Sequence, residues 1–217
     1  AMINPLPAPY YADQACHERV RIEENVRIAR DTFRVRFALP RLARRIVPGQ
    51  FLMMRLTGYG DPLLGRPLAL YDTVLGGDSR SEPTKVDIVY LVLGKMTREL
   101  AKLGPGHELD VWGPLGNGFP PVATDHLVMV AGGIGQTPFL ALAREATGGR
   151  QYGDPPRQIA PTQRVTFCYG ARSEDLLAGL DDFAALGVEI RTATDDGTAG
   201  HHGFVTDVAR DVLADSP

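Results

Sequence analysis

The chain has 217 residues, of which 44% are hydrophobic and 23% charged, and its formal net charge at pH 7 is −3. This length allows one or two domains with a sizeable core. A charge so close to neutrality disfavours a dedicated nucleic-acid-binding protein. No apolar stretch approaches the roughly 20 residues of a membrane span, and no signal-peptide pattern opens the sequence. We therefore expect a soluble, cytoplasmic protein.

Charge divides the chain into two parts. Residues 1–123 hold 16 Lys and Arg against 13 Asp and Glu, whereas residues 124–217 hold 7 against 13. The first part contains five segments whose residues favour strands. These segments are Val20–Ala29, Thr32–Leu39, Gln50–Leu56, Arg66–Tyr71 and Val86–Leu93. Short strands separated by Gly and Pro predict a small antiparallel β-barrel domain over residues 1–123. One helix is predicted over Thr97–Leu103, with Thr97 as its N-cap.

The second part alternates buried strands with helices. The predicted strands are Leu127–Ala131, Val165–Tyr169 and Val188–Thr192. The predicted helices are Thr137–Ala146, Ser173–Leu186 and Phe204–Ala214. This alternation predicts a Rossmann-like α/β domain with a parallel sheet over residues 124–217. The polar, proline-rich segment Gln151–Gln163 is interpreted as a surface loop.

A glycine-rich turn joins the first strand of this second part to its helix. Gly132, Gly133 and Gly135 follow the strand, and Pro138 lies in the first turn of the predicted helix. Glycines let a phosphate approach the backbone, and a helix N-terminus offers free N–H groups and a positive dipole end. A phosphate site is therefore one interpretation; the other is a tight turn that packing alone requires.

Two segments of the barrel part have the same ambiguity. In Arg66-Pro67-Leu68-Ala69, a rigid proline follows an arginine that could hold a phosphate, although a surface arginine at a strand edge would look the same. In Gly94-Lys95-Met96-Thr97, a glycine precedes a helix start that could bind a diphosphate, although an ordinary capped helix is the simpler explanation.

Other features indicate no chemistry of their own. The segment Gly113–Phe119 (GPLGNGF) predicts a rigid glycine-rich loop, in the simplest interpretation an interdomain hinge. His201 and His202 lie on a predicted loop without a third ligand at a recognisable spacing, so we predict no metal site. Cys16 and Cys168 are too few for a disulfide framework or a four-cysteine metal site. We nominate no nucleophile and no general acid or base, and we expect Trp112 in the core or as a wall of the glycine-rich loop.

Taken in order, the motifs RPLALYD, LGKMT, GPLGNGF, VAGGIGQTP and TDDGTAGHHGFVTD resemble the ferredoxin–NADP⁺ reductase superfamily over about residues 18–210. Within it they most closely resemble the electron-transfer subunits of class 1B dihydroorotate dehydrogenases. The resemblance implies an FAD-binding barrel followed by an NAD-binding α/β domain. It implies electron transfer between NAD(H) and the catalytic subunit of dihydroorotate dehydrogenase, in pyrimidine biosynthesis, through a [2Fe–2S] cluster.

The resemblance also implies roles for single residues. The residues that match the flavin motifs are Arg66, Pro67, Leu68, Ala69, Gly94, Met96 and Thr97. Those that match the nicotinamide-nucleotide loop are Gly132, Gly133, Gly135 and Pro138, and those that match the loop at the domain junction are Gly113, Pro114 and Gly116. In the family, the arginine meets the FAD phosphate and the fourth position of the first motif lies near the flavin N5.

The sequence departs from the family at three points. Ala69 stands where the family has Ser, Met96 stands where it has Gly, and the family continues with four cysteines that bind the [2Fe–2S] cluster. We therefore expect a native protein longer than 217 residues. A related subunit serving a hydrogenase or a ferredoxin-linked complex stays open as an alternative, as does a non-catalytic flavin- or nucleotide-binding module. Arg172 and Ser173 favour NADPH and the acidic pair Glu174-Asp175 favours NADH; the resemblance favours NADH.

Overall fold

The structure is a computed structural model, and it describes residues 15–58, 60–76, 82–121 and 123–215. The signal-peptide expectation concerns residues 1–14, which lie outside these ranges. Within them, no helix combines the length and the apolar character needed to cross a membrane.

Six antiparallel strands close into a barrel in the order β1-β2-β5-β4-β3-β6. They are β1 (Cys16–Ala29), β2 (Thr32–Ala38), β3 (Phe51–Leu56), β4 (Arg66–Leu75), β5 (Pro83–Leu91) and β6 (Glu108–Leu115). Alternate residues of the strands point inward, as the period of two requires, and Phe37, Leu52, Leu70 and Ile88 are fully buried. Helices α1 (Pro40–Ala43) and α2 (Lys95–Leu100) lie in the connections. The predicted barrel is confirmed.

Four parallel strands form the second sheet in the order β10-β9-β8-β7. They are β7 (His126–Gly132), β8 (Arg164–Ala171), β9 (Glu189–Thr194) and β10 (His201–His202). The α-helices of this part are α3 (Phe139–Ala146), α4 (Leu180–Ala184) and α5 (Val205–Ala214). The apolar run of β8 is buried because α3 and α4 cover one face and α5 packs on the other. The run of β7 is only partly buried, since β7 is an edge strand and its Val130 is 39% exposed. The predicted parallel α/β fold is also confirmed.

Several details of the sequence prediction are wrong. The prediction missed β6, because Gly113 and Pro114 were assigned to a loop, whereas they lie at the end of that strand. Thr97 is the third residue of α2, which has Gly94 as its N-cap. The histidine pair is the short strand β10, paired with the end of β9. Trp112 lies on the outer face of β6 and is 51% exposed, so it is not a core residue.

The helix predicted over Ser173–Leu186 is in fact interrupted. A 3-10 turn covers Glu174–Leu176, and α4 begins only after Gly179, whose φ of +75° lies in the left-handed region. Similarly, a 3-10 turn over Gly133–Gln136 precedes α3, which begins at Phe139 rather than at Thr137. The segment 151–163 contains no helix or strand, as predicted for a surface loop.

Candidate functional site

A cleft of about 740 Å³ separates the barrel from the carboxyl ends of the parallel strands. Its barrel wall consists of the β1–β2 turn and the end of β5; the residues are Arg30, Asp31, Thr32, Leu91, Val92 and Leu93. Its other wall includes Gly132 and Gly133 at the end of β7, Gly170 to Arg172 at the end of β8, and Phe204 before α5. This volume lies within the usual range for a small-molecule site, and the carboxyl edge of a parallel sheet is where open α/β folds bind ligands.

The glycines after β7 leave open space in front of the backbone. A Cβ atom added at Gly132, Gly133 or Gly135 would meet no heavy atom within 4 Å. Gly133 has a φ of +51°, which favours glycine for the turn itself, but Gly132 has ordinary extended dihedrals. Packing therefore does not account for glycine at Gly132, and the space beside it is available to a phosphate.

Gly170, on the neighbouring strand, provides a contrast. A Cβ at Gly170 would lie 2.7 Å from Cβ of Val205, so this glycine is required for α5 to pack on the sheet. The structure thus separates a packing glycine from the open glycines of the cleft, a distinction that the sequence pattern could not make.

Arg66 begins β4 with an exposed side chain. Its Nη1 donates to the carbonyl of Gly65 at 3.1 Å, and the guanidinium forms no ion pair among the residues that the structure describes. Pro67 is exposed, whereas Leu68 and Ala69 are half-buried as β4 enters the barrel wall. An unpaired guanidinium is suited to bidentate recognition of a phosphate.

The start of α2 fits a diphosphate better than its sequence suggests. Met96 is 1% exposed and its side chain packs in the barrel core, so it does not obstruct the outer side of the turn. A Cβ at Gly94 would meet nothing within 4 Å. The Thr97 hydroxyl accepts the N–H groups of Leu93 at 3.0 Å and Gly94 at 3.1 Å, and this shapes the turn. The first-turn N–H groups of α2 are left without intrahelical acceptors, as at any helix start.

Two contacts relevant to the cleft escaped the sequence analysis. Lys95 of α2 forms an ion pair with Asp61, which lies five residues before Arg66 in the chain. Arg30, in the β1–β2 turn, forms an ion pair with Asp175, with Nη1 3.0 Å from Oδ2. This pair connects the barrel to the segment that follows β8. Nothing in the sequence signals pairs so distant along the chain.

The end of β8 presents charges of both signs. Asp175 accepts a hydrogen bond from Ser173 at 2.6 Å and faces Arg30. The exposed Arg172 lines the cleft and forms no side-chain hydrogen bond or ion pair among the described residues. The contacts of this region therefore leave the choice between NADH and NADPH open.

The cysteines are not activated. Burial raises the pKa of the thiol of Cys168 in β8, and burial likewise raises the pKa of Cys16 in β1. A raised pKa keeps a thiol protonated, and the thiolate is the nucleophilic form. Neither cysteine therefore has the character of a catalytic nucleophile.

The described residues do not fit a metal cluster. They include no group of three His, Cys, Asp or Glu side chains placed to hold a metal ion. A [2Fe–2S] cluster needs four ligands, whereas the two cysteines are buried in different domains. His201 has Asp207 as a neighbour at 3.8 Å and no further ligand.

A closed six-stranded barrel, with the end of β5 facing the glycine loop of a parallel sheet, is the architecture of an FAD-binding oxidoreductase of the ferredoxin reductase type. Residues 19–119 match the oxidoreductase FAD-binding domain family. The chain is 30% identical over 202 residues to the dihydroorotate dehydrogenase B (NAD(+)) electron transfer subunit of Fusobacterium nucleatum, covering 92% of this chain and 71% of that protein. The same subunit of Geobacillus kaustophilus is 34% identical, with 88% of this chain and 68% of that protein covered.

Solved structures agree with this placement. The structure of the NADH-dependent reduced ferredoxin-NADP oxidoreductase superposes with a TM-score of 0.71 at 29% identity, covering 91% of this chain and 64% of that chain. Amycolatopsis cytochrome P450 reductase GcoB shares the fold, with a TM-score of 0.72 at 24% identity and coverage of 92% and 59%. The chain belongs to the family of dihydroorotate dehydrogenase B electron transfer subunits, and it spans about two thirds of the length of these curated relatives.

Proposed function

We propose that this chain is an FAD-containing subunit that passes electrons between NAD(H) and a partner oxidoreductase. The partner is the catalytic subunit of dihydroorotate dehydrogenase, in pyrimidine biosynthesis in the cytoplasm. The relatives named for that enzyme support this assignment. The single observation that supports it most strongly is the cleft, because its facing walls belong to the end of β5, next to a predicted flavin segment, and to the nucleotide loop.

The flavin side belongs to the domain proposed for residues 1–123. Arg66 supplies an unpaired guanidinium for a phosphate, and Pro67, Leu68 and Ala69 form the strand beside it. Gly94, Met96 and Thr97 shape the helix start that would receive the diphosphate. FAD, when bound, supplies the hydride and single-electron chemistry, and the protein binds it, orients it and tunes its surroundings.

The nucleotide side belongs to the domain proposed for residues 124–217. Gly132, Gly133 and Gly135 leave the backbone accessible to the dinucleotide phosphates, and Pro138 directs the chain into α3. NADH is the proposed donor, because the relatives that support the assignment are named for NAD(+). We propose no general acid or base, because the binding of both cofactors side by side is sufficient for hydride transfer.

The [2Fe–2S] cluster is proposed only for a longer protein. The described residues offer no ligand set for it, so no electron-transfer step is assigned here to a cluster. Iron analysis of protein expressed from the complete gene tests this part of the proposal, and an iron-free product that still reduces its partner would contradict it.

A second candidate function has one specific observation in its favour. The solved structure of the NADH-dependent reduced ferredoxin-NADP oxidoreductase is 29% identical to this chain, nearly as similar in sequence as the dihydroorotate dehydrogenase relatives. A reductase subunit that serves a ferredoxin-linked complex is therefore the alternative partner assignment.

One experiment tests the function and separates the two partners. The full-length protein is purified with its flavin, and NADH and NADPH are titrated separately under anaerobic conditions while flavin absorbance is recorded. Reduction by NADH is expected. The reduced protein is then mixed with a dihydroorotate dehydrogenase catalytic subunit or with a ferredoxin, and reoxidation by the first alone is expected. Purification without flavin, or a flavin that neither nucleotide reduces, would rule out the proposed function.

A further inference from the structure

Strand β4 contributes side chains to both domains. Its first residues carry the proposed flavin motif, and Leu70 is fully buried inside the barrel. The next residue, Tyr71, points out of the barrel and is buried in the core of the parallel-sheet domain, 1% exposed, in one cluster with Phe167 and Phe183. The flavin strand is thus held at its middle by the domain that binds the nucleotide.

The Tyr71 hydroxyl makes a specific contact there. It donates a hydrogen bond of 2.6 Å to Asp182 Oδ2 in α4. Gly179, the N-cap of α4, makes this approach possible, because a Cβ at that position would lie 2.3 Å from the hydroxyl oxygen. Burial and the neighbouring Asp182 carboxylate raise the pKa of Tyr71, so the hydroxyl keeps its proton and remains a donor.

The adjacent residue, Asp72, provides a second attachment. Its buried carboxylate, 6% exposed, accepts a hydrogen bond of 2.7 Å from the hydroxyl of Tyr152. Nε of Arg144, in α3, lies 2.9 Å from the other carboxylate oxygen. Arg150 is placed 3.4 Å from Asp72 and also donates to the carbonyl of Thr73. Three side chains of the second domain therefore converge on one acidic residue of β4.

These contacts lie outside the cleft. None of their side chains lines it, and none of them is among the residues proposed above to hold either cofactor. Ala69 is only two residues from Tyr71, a distance of about 7 Å along an extended strand. A displacement of Tyr71 relative to α4 would therefore move Ala69, in the flavin motif, by nearly the same distance.

We propose that Tyr71 and Asp72 are positioning residues, which fix the flavin strand relative to the glycine loop and so set the productive separation of the two cofactors. This inference rests on the proposed function. Hydride transfer needs reacting atoms about 3–3.5 Å apart, and a misplacement of about 1 Å can cost roughly 100-fold in rate. The contacts of Tyr71 and Asp72 hold this short part of β4 in place against the second domain.

The test compares three single variants of the full-length flavoprotein. Tyr71→Phe keeps the buried ring and loses only the bond to Asp182. Asp182→Asn, which keeps an acceptor oxygen, serves as the conservative variant. Tyr90→Phe is the matched control, because Tyr90 is equally buried and its hydroxyl donates at 2.9 Å to Asn25 entirely within the barrel.

Three quantities are measured: the rate of flavin reduction at saturating NADH, the dissociation constant of NADH, and hydrogen–deuterium exchange of β4 and α4. Tyr71→Phe is expected to slow reduction about tenfold, with an unchanged dissociation constant, full flavin content and faster exchange in α4. Asp182→Asn and Tyr90→Phe should both stay within about twofold of the native rate.

The outcomes separate this inference from the proposed function. Equal slowing by Tyr71→Phe and Tyr90→Phe would show a general loss of stability and overturn the inference. Unchanged rate and unchanged exchange in Tyr71→Phe would also overturn it. If the native protein itself is not reduced by NADH, the proposed function fails; the exchange measurement then decides the inference, since unchanged exchange in α4 would still overturn it.

Discussion

At the scale of single residues, Arg66 has a charge that no described carboxylate neutralises. Its neighbours contribute only backbone carbonyls, the nearest at 3.1 Å. Arg36, by contrast, pairs with Asp87 at 2.7 Å, and that hydrogen bond raises the pKa of its guanidinium further. Because Arg27 of β1 also has only a backbone carbonyl as its partner, the ligand-binding role proposed for Arg66 rests on its place in the flavin motif together with its free guanidinium.

Arg66→Ala should therefore weaken FAD binding by about 2–3 kcal/mol, the scale of a hydrogen bond to a charged group. Flavin fluorescence during titration of the apoprotein measures this loss. Arg21→Ala is the control, because Arg21 is an exposed arginine of the same barrel that pairs only with Glu108. Equal flavin affinity in the two variants would remove Arg66 from the site.

At the scale of the elements, the glycines at the end of β7 differ in how well their substitution tests nucleotide binding. Gly133 is strained for any side chain at φ +51°, so its substitution would mix folding with binding. Gly132 has extended dihedrals and open space, and a β-branched residue suits such a backbone.

Gly132→Val should fold and retain FAD, while NADH-driven reduction falls at least about 100-fold, since the side chain occupies the path of the phosphates. Stopped-flow reduction and flavin content are the measurements. Gly104→Val is the matched control, because a Cβ there also meets nothing within 4 Å and Gly104 lies outside the cleft. Loss of FAD together with nucleotide reduction would indicate a packing role instead.

The pairing of β8 with β9 contains an acid-sensitive contact. Hydrogen bonds from Arg164, Arg191 and Thr166 lower the pKa of Glu189 to about 2. Its pKa is thus depressed by folding, so the contribution to stability is complete above the ordinary value of 4.5 and is lost as the pH falls towards 2.

Glu189→Gln should consequently be less stable than the native protein by about 1 kcal/mol at pH 7, the scale for a partly exposed ion pair. The difference should shrink as the pH falls from about 4.5 to 2. Urea unfolding at a series of pH values measures it. Asp154→Asn controls for charge removal, because Asp154 is exposed and its side chain forms no hydrogen bond or ion pair among the described residues. A difference that stays constant across this pH range would contradict the assignment.

The sequence predicted the elements well where the period was regular, and poorly where tertiary contacts decided the outcome. The apolar run at 165–169 could be interpreted as a buried strand because both faces of β8 are covered, whereas the similar run at 127–131 forms an edge strand in which Val130 is 39% exposed. In contrast, β10 has only two residues, and its pairing with β9 determines its conformation. Likewise, Trp112 is exposed because it lies on the outer face of β6, a strand that the sequence analysis did not predict.

At the scale of the whole molecule, the sequence proposes components of the site but gives no information about their arrangement. The resemblance indicates Arg66, Gly94 and Gly132 as ligand-binding positions. It does not show which parts of the two domains face each other across the cleft. Met96 illustrates the limit, since only the fold shows that its side chain enters the barrel core. The attachment of β4 to α4 was also invisible, because Tyr71 and Asp182 are 111 residues apart.

The connection between the two domains depends on a buried ion pair. Glu145 of α3 is 4% exposed and accepts a hydrogen bond of 3.1 Å from Nε of Arg157. Arg157 also donates at 2.6 Å to the carbonyl of Phe119, in the segment that leaves the barrel. Phe119 in turn stacks on Phe139 of α3 with ring centroids 5.8 Å apart. One arginine therefore joins the exit of the barrel, α3 and the 151–163 loop.

Removing that arginine should destabilise the molecule far more than removing both partners. Arg157→Met leaves the Glu145 carboxylate buried without a counter-charge, and the expected loss is about 3–5 kcal/mol. The double variant Arg157→Met with Glu145→Leu should recover most of that loss, because apolar side chains of similar volume tolerate burial. Urea unfolding of the flavin-loaded protein measures both variants. A loss below about 1 kcal/mol in the single variant would mean that the pair behaves like an exposed ion pair and does not hold the domains together.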